Sequence, residues 1–364
     1  MNWVIKENND NESVKRLSNE LNISPILSSM LVNRRIKTFD QAKKFFRPNF
    51  EMLHDPFLMK DMSLAVERIQ KAIQKNESIM IFGDYDVDGT SSVALLSMYL
   101  ESLGLKIIKY LPDRKKEGYG VSINAIDHAF SKNHKLIIAL DCGIKAHKQV
   151  EYAKEKGIEF IICDHHNPDK NLPKALAILN PKRKDCAYPF KELCGCGVGF
   201  KLVQAVESKQ SKNNQIINYL DLVALAIAAD VVPLTGENRV LAFIGLQIIN
   251  SNPRPGVHSL LKKNVKKEYT ISDLMYYVGP RINAAGRMKH ASLALEVLIC
   301  NDINSIEKLA LEIEDLNTSR KDIEKDITSQ AIEQVDNSSE KLNSIVVFDS
   351  DWNKGVIGIV ASRL

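Results

Sequence analysis

Ile79-Met-Ile-Phe-Gly-Asp84-Tyr-Asp86-Val-Asp88-Gly-Thr90 is the stretch on which the reading of the fold turns. Its first four residues are apolar without alternation, as in a strand covered on both faces of a sheet. A turn follows with aspartates at every second position, and Thr90 to Leu103 then reads as a helix. The same unit recurs downstream. Leu136–Leu140 and Phe160–Cys163 are further apolar runs, Ala146–Lys156 is a further helix, and Gly104 and Gly157 stand where the helices should stop. Strands alternating with helices imply an α/β fold, a parallel sheet flanked by helices, over residues 76–235.

Outward from this unit the pattern changes. Residues 1–75 read as a helical N-terminal region, clearest at Ile23–Phe46 and Ser63–Ile73, with Pro48 and Pro56 as breaks. Residues 236–340 read as a connecting helical region. Within it Ile306, Leu309, Ile313, Leu316, Ile323 and Ile327 recur at helical period, so Ser305 to Val335 predicts one long connecting helix. After a polar break at Asp336–Lys341, Ile345–Phe348 predicts a strand that starts a second α/β lobe over 341–364. Leu364 falls inside an apolar run that ought to continue, so the chain reads as a fragment with a truncated second lobe.

Composition excludes several classes. A chain of 364 residues with 45% apolar and 26% charged residues is neither disordered nor a membrane protein, since no apolar run has membrane-spanning length. No basic segment and apolar core open the chain, which predicts a cytoplasmic protein. Six scattered cysteines, with Cys194-Gly-Cys196 lacking a second pair, read as free thiols rather than a zinc site. A net charge of +4 does not by itself argue for nucleic acid.

The chemistry lies in the loops. An acidic turn or helix cap uses one aspartate readily, but three beside each other repel unless a cation joins them. Hard divalent ions take oxygen ligands, and flanking glycines let the turn close tightly. A calcium loop of the EF-hand type would need a later Gly and Glu at fixed spacing, which the chain lacks. The second strand ends in Asp141-Cys-Gly and the third in Asp164-His165-His166, both at the carboxyl edge where open α/β sheets build sites. Asp230 follows the apolar run Val223–Ala229, where an unpaired carboxylate costs on the order of several kcal/mol. These groups suit two ions of the Mn²⁺ or Mg²⁺ kind, which about 3.5–4 Å apart can grip a phosphodiester and activate a water. Neither a nucleophile elbow nor a phosphate loop of the Walker type is present.

Asp84-Tyr-Asp-Val-Asp88-Gly, Asp141-Cys-Gly, Asp164-His-His166 and Ala229-Asp230-Val-Val-Pro, in this order, resemble the four motifs of the DHH phosphoesterases. Longer segments resemble the RecJ family within them: Leu111-Pro-Asp-Arg114, Glu117-Gly-Tyr119-Gly, Leu193-Cys-Gly-Cys-Gly-Val-Gly-Phe200, Gly236-Glu-Asn-Arg239, Gly279-Pro-Arg-Ile-Asn-Ala-Ala-Gly-Arg287 and Lys354-Gly-Val-Ile-Gly-Ile-Val-Ala-Ser-Arg363. The resemblance implies a single-stranded-DNA-specific 5′-to-3′ exonuclease of DNA repair and recombination, with a helicase and a single-strand-binding protein as partners. It implies that Asp84, Asp86, Asp88, Asp141, His165 and Asp230 hold the metals, with His166 facing the phosphate and the attacking water and Asp141 counted with it as catalytic. Arg114, Arg281 and Asn283 would bind the strand, Tyr119 would stack on a base, and Ser362 and Arg363 would receive the terminal phosphate. One departure stands out: Asn353 follows Trp352 where the family usually has histidine. Rival readings are a DHH enzyme of short oligoribonucleotides, cyclic dinucleotides or pyrophosphate, and a non-catalytic DNA-binding scaffold. The extended segments argue against the first and the intact ligand set against the second.

Overall fold

The structure, a computed structural model, describes residues 10–210, 216–262, 265–337 and 344–364. The chain divides into two compact units, Met1–Leu53 and His54–Leu364.

The first unit contains three short helices, α1 (Asn11–Leu21), α2 (Pro25–Asn33) and α3 (Phe39–Phe46). Asp10, Ser24 and Thr38 cap them, each side chain accepting from a backbone amide of the first turn. Val14, Leu17, Leu31, Val32, Ile36 and Ala42 form its apolar core. The continuous pattern from Ile23 to Phe46 is thus two helices, divided where Arg35 takes a left-handed conformation (φ 63°).

In the second unit, helix α4 (Met62–Lys75) precedes strand β1 (Ile79–Gly83). Then follow α5 (Val87–Ser102), β2 (Ile107–Tyr110), α6 (Ile123–Ser131), β3 (Leu136–Leu140), α7 (His147–Glu155), β4 (Glu159–Cys163) and β5 (Ala177–Leu179). All ladders are parallel, in the order β2-β1-β3-β4-β5. β1 and β3 are buried along their whole length, which accounts for their unbroken apolar sequence. One face carries α6 and α7 over Met80, Phe82, Ile137, Ala139, Phe160 and Ile162. The other carries α5 and α8 (Gly195–Glu207).

The chain continues through α9 (Leu220–Ala229), α10 (Gly236–Ser251) and α11 (Pro255–Leu261). Next comes a broken run of α12 (Ile271–Asp273), a π-helical turn at Leu274–Val278 and α13 (Gly279–Met288). Helices α14 (Ser292–Ile299), α15 (Ile303–Asp336) and α16 (Ile357–Arg363) complete it. The long connecting helix is α15, 34 residues in one piece. Ile345–Phe348 is not a strand: it has no ladder partner among the described residues, and without one an apolar run cannot form a sheet. Residues 1–9 and most of the expected polar break after Asp336 lie outside the described residues. Among those described, no helix is long and apolar enough to cross a membrane.

Sheet order sets the place of a site. From β1 the chain goes to one side for β2 and to the other for β3, so the loops leaving β1 and β3 diverge and open a crevice at their carboxyl ends. Behind that crevice α8 is tied to α10 by fully buried Lys201, whose Nζ lies 2.6 Å from the His54 carbonyl and 3.3 Å from Glu237 Oε1. Glu237 also accepts from the Tyr188 hydroxyl (2.6 Å) and the His54 amide (2.9 Å). Burial pushes the Lys201 pKa down against the pull of Glu237. Lys201→Met leaves a buried carboxylate without its cation, and we expect a loss of about 3–5 kcal/mol in urea unfolding. A loss below about 1 kcal/mol would show that the pair contributes little to stability.

Candidate metal and phosphoryl site

Each strand end delivers its carboxylate by a different local device. Asp84 leaves β1 buried, with Oδ1 lacking any hydrogen-bond partner. Asp86 caps α5, its Oδ1 accepting from the Gly89 amide at 3.0 Å. Asp88 lies in the first turn of α5 and points at the start of α8: its oxygens accept from the Gly195 and Cys196 amides at 2.6 Å each. A helix N-terminus is a natural seat for an anion, so α8 stabilises the most buried charge of the turn.

Asp141 follows β3 in a left-handed conformation (φ 59°). A side chain pays for that geometry only where the surroundings enforce it. Here its amide donates to the Cys163 carbonyl at 2.9 Å, and α8 comes so close that a Cβ on Gly195 would sit 2.6 Å from Asp141 Oδ1. Asp230 ends α9, and Val231 beside it is also left-handed (φ 56°), a rare conformation for a β-branched residue.

These pieces converge on His165. Its Nε2 lies 3.2 Å from Asp141 Oδ1, 3.6 Å from Asp230 Oδ2 and 3.8 Å from Asp88 Oδ2. Neither ring nitrogen of His165 has a hydrogen-bond partner, and the imidazole is buried. Two groups of potential ligand atoms lie within 4.8 Å of one another, Asp88-His165-Asp230 and Asp141-His165-His166, with His165 in both.

The electrostatics are those of a place short of positive charge. Burial, reinforced by Asp86, pushes both Asp84 and Asp88 up to about 7. Burial and Asp88 push Asp230 up to about 6, and the same two causes push Asp141 well above the carboxylate range. Burial pushes His165 down. Asp164 is the exception. Burial alone would raise it, but hydrogen bonds from His166 and from the Ile144 amide outweigh burial and hold it low. Its Oδ1 accepts from His166 Nδ1 at 2.7 Å and from the His165 amide at 2.7 Å. That contact raises the His166 pKa and aims the ring, leaving Nε2 3.3 Å from the Tyr119 hydroxyl.

The structure thus brings Asp88, Asp141, His165, His166 and Asp230 together, with Asp84 and Asp86 on the adjoining turn. Arg114 sits beside that turn, its guanidinium 4.9 Å from the centre of the Tyr85 ring. Arg281 is buried on α13 and engaged by Glu314 of α15 (2.6 Å) and the Tyr277 carbonyl (2.7 Å). Asn283 is half-buried on the same helix. Ser362 and Arg363 lie on α16, where the Ser362 hydroxyl donates to the Ile359 carbonyl and Arg363 pairs with Glu324. None of these four contacts the carboxylate cluster among the described residues.

Sequence reasoning assigned no role to Asp164, Asn180 or Arg287. Asn180 is fully buried and donates from Nδ2 to the His166 carbonyl at 2.9 Å, fixing that residue's backbone. Arg287 donates to the Gly355 carbonyl at 2.7 Å, and its pKa is lowered by burial and by the neighbouring Arg114 and Arg320. A third guanidinium in a crowded basic group is an attractive seat for phosphate. Its place at the end of the Gly279–Arg287 segment was the available signal.

Comparison with known proteins identifies relatives of the whole chain. The DHH family, N-terminal domain, matches residues 78–227. The single-stranded-DNA-specific exonuclease RecJ of Bacillus subtilis (strain 168) is 39% identical over 369 residues, an alignment covering 100% of this chain and 46% of that protein. The crystal structure of an exonuclease RecJ bound to manganese superposes with a TM-score of 0.77 at 31% identity, covering 86% of this chain and 78% of that one. RecJ from Thermus thermophilus in complex with Mn²⁺ superposes with a TM-score of 0.84 at 27% identity, covering 97% of this chain and 50% of that one. The chain spans about half the length of the curated relatives it matches.

The close approach of α8 carries a test. Gly195→Ala must displace Asp141, Asp88 or both, so we expect Mn²⁺ affinity measured by calorimetry to fall by about 10- to 100-fold, the scale of lost ligand support. Unchanged affinity would show that the close approach of α8 to Asp141 does not support metal binding.

Proposed function

The chain belongs to the RecJ family of DHH proteins, and from that membership we propose that it is a metal-dependent phosphodiesterase that degrades single-stranded DNA from the 5′ end. The observation that carries this reading is the pair of ligand groups sharing His165 at the crevice between β1 and β3. The residues fit metal ions: Asp84 Oδ1, Asp141 Oδ1 and the His165 ring nitrogens are buried without hydrogen-bond partners, and a cation satisfies the two carboxylate oxygens and the one imidazole nitrogen that carries a lone pair. Asp84, Asp86, Asp88, Asp141, His165 and Asp230 would hold two Mn²⁺ or Mg²⁺ ions. Bound there, such ions lower the pKa of a water and offset charge on phosphoryl oxygens.

The remaining roles belong to the chain itself. With Nδ1 donating to Asp164, His166 presents Nε2 to the phosphate and to the attacking water. Arg114, with Arg287 beside it, binds backbone phosphates, and Tyr119 offers a 60% exposed ring on which a base stacks without regard to sequence. We assign Arg281, Asn283, Ser362 and Arg363 to more distant strand contacts. Arg281 and Arg363 share their charge with Glu314 and Glu324, so they add less to phosphate affinity than Arg114. The substrate must be unpaired, which makes a helicase and a single-strand-binding protein the fitting partners, and we place the protein with its DNA in the cytoplasm. No feature of the site favours the oligoribonucleotide or scaffold readings.

The test is digestion of a 5′-labelled single strand beside a matched duplex and an RNA oligomer, with Mn²⁺ and with EDTA. We expect loss of the single strand alone, only with metal. Asp141→Ala should lower that rate by at least about 10³-fold, on the scale of a lost catalytic group, while oligonucleotide affinity stays within about threefold. Full activity of this variant, or equal digestion of duplex or RNA, would sink the proposal.

A further inference from the structure

Both ring nitrogens of His166 are occupied, one by Asp164 and the other by Tyr119. When the ring is neutral and Nδ1 donates to Asp164, its one remaining lone pair is on Nε2, within hydrogen-bond reach of the Tyr119 hydroxyl at 3.3 Å. The tyrosine ring stands edge-on to the imidazole at 6.2 Å and an interplanar angle of 80°. One lone pair accepts one hydrogen bond. While the hydroxyl holds it, Nε2 cannot take a proton from a water or face a phosphate oxygen.

The segment carrying Tyr119 is built to move between fixed points. Glu117 is anchored by the Tyr110 hydroxyl (2.9 Å), the Asp113 amide (2.8 Å) and the Ser122 hydroxyl, and Ser122 caps α6. Between these anchors Gly118 (φ 80°) and Gly120 (φ 82°) are both left-handed, with open space where a Cβ would be. They flank the tyrosine on both sides and give the backbone a hinge at each. The ring itself is 60% exposed, so its departure uncovers little apolar surface.

We infer that Tyr119 is a cap on His166 which the incoming strand displaces, so that the imidazole becomes available only when a base has drawn the ring away. This rests on the proposed hydrolase reading and adds a condition to it: strand binding and the uncovering of His166 Nε2 are one event. The same side chain then does two things in turn, closing Nε2 in the free enzyme and stacking in the complex. A phosphodiester too small to offer a base cannot trigger it. An abasic (tetrahydrofuran) dinucleotide should therefore be a poor substrate because the cap stays shut.

Tyr119→Phe removes the hydroxyl and keeps the ring, whereas Tyr119→Ala removes both. With Mn²⁺, we expect either variant to raise kcat/KM for the abasic dinucleotide by roughly 3- to 10-fold, the equivalent of one neutral hydrogen bond. On single-stranded DNA, Tyr119→Ala should raise KM at least about fivefold more than Tyr119→Phe, because only it loses the stacking ring. If Tyr119→Phe lowers turnover of both substrates, or leaves the small diester unchanged, the hydroxyl is not a cap. A metal-free measurement separates this from failure of the hydrolase reading. In histidine-labelled NMR, Tyr119→Phe and addition of oligothymidylate to the wild type should each shift the His166 Nε2 resonance and leave Nδ1 in place. An Nε2 signal indifferent to both would overturn the cap whatever the turnover; the expected shifts with no Mn²⁺-dependent turnover would uphold it and count against the hydrolase.

Discussion

Carboxylates that share one buried sheet edge repel each other, and less water is there to screen them. Burial first, and that repulsion second, raise the pKa values of Asp84, Asp88, Asp141 and Asp230. Much of the surrounding structure works against that repulsion. The N-terminus of α8 grips Asp88 with two amides, a left-handed backbone holds Asp141, and a glycine at 195 leaves room for both. Helix α8 is itself held from behind by the buried Lys201 and Glu237. The chain's own contacts thus hold the carboxylates in place, which is what a preorganised binding site requires.

The parts of this arrangement that sequence shows best are those with the simplest physics. β1, β3 and β4 announce themselves because a strand covered on both faces must be apolar at nearly every position. β2 escapes notice since all four of its residues are only half-buried and one is Lys109, and β5 since three residues are too few to make a pattern. The long helix is legible from period alone. The extended run at Ile345–Phe348 has strand composition but no partner among the described residues, and composition cannot supply one.

The site follows the same division. Aspartates after strand ends are visible in sequence, and so is the histidine pair. Which of Asp164, His165 and His166 turns toward the cluster is not, because that depends on Asp164 finding the Ile144 amide across the loop. That Arg281 is paired is equally invisible, because its carboxylate partner Glu314 is 33 residues away and carries no local signal. Asn180 was hidden for the reason β5 was. Contacts between distant segments decide orientation, and orientation separates a ligand from a support.

Helix α15 adds a mechanical consequence. At 1.5 Å per residue its 34 residues span about 51 Å, with α13 and α14 packed along it and α16 resting farther down. A rod of that length acts as a lever. A tilt of about 5° where Arg281 grips Glu314 carries the Ile327–Ala331 stretch on which α16 rests through about 2 Å. Anything seated on α16 would thus register small adjustments of the sheet domain, within the limit set by the hydrogen bond from Arg287 of α13 to the Gly355 carbonyl.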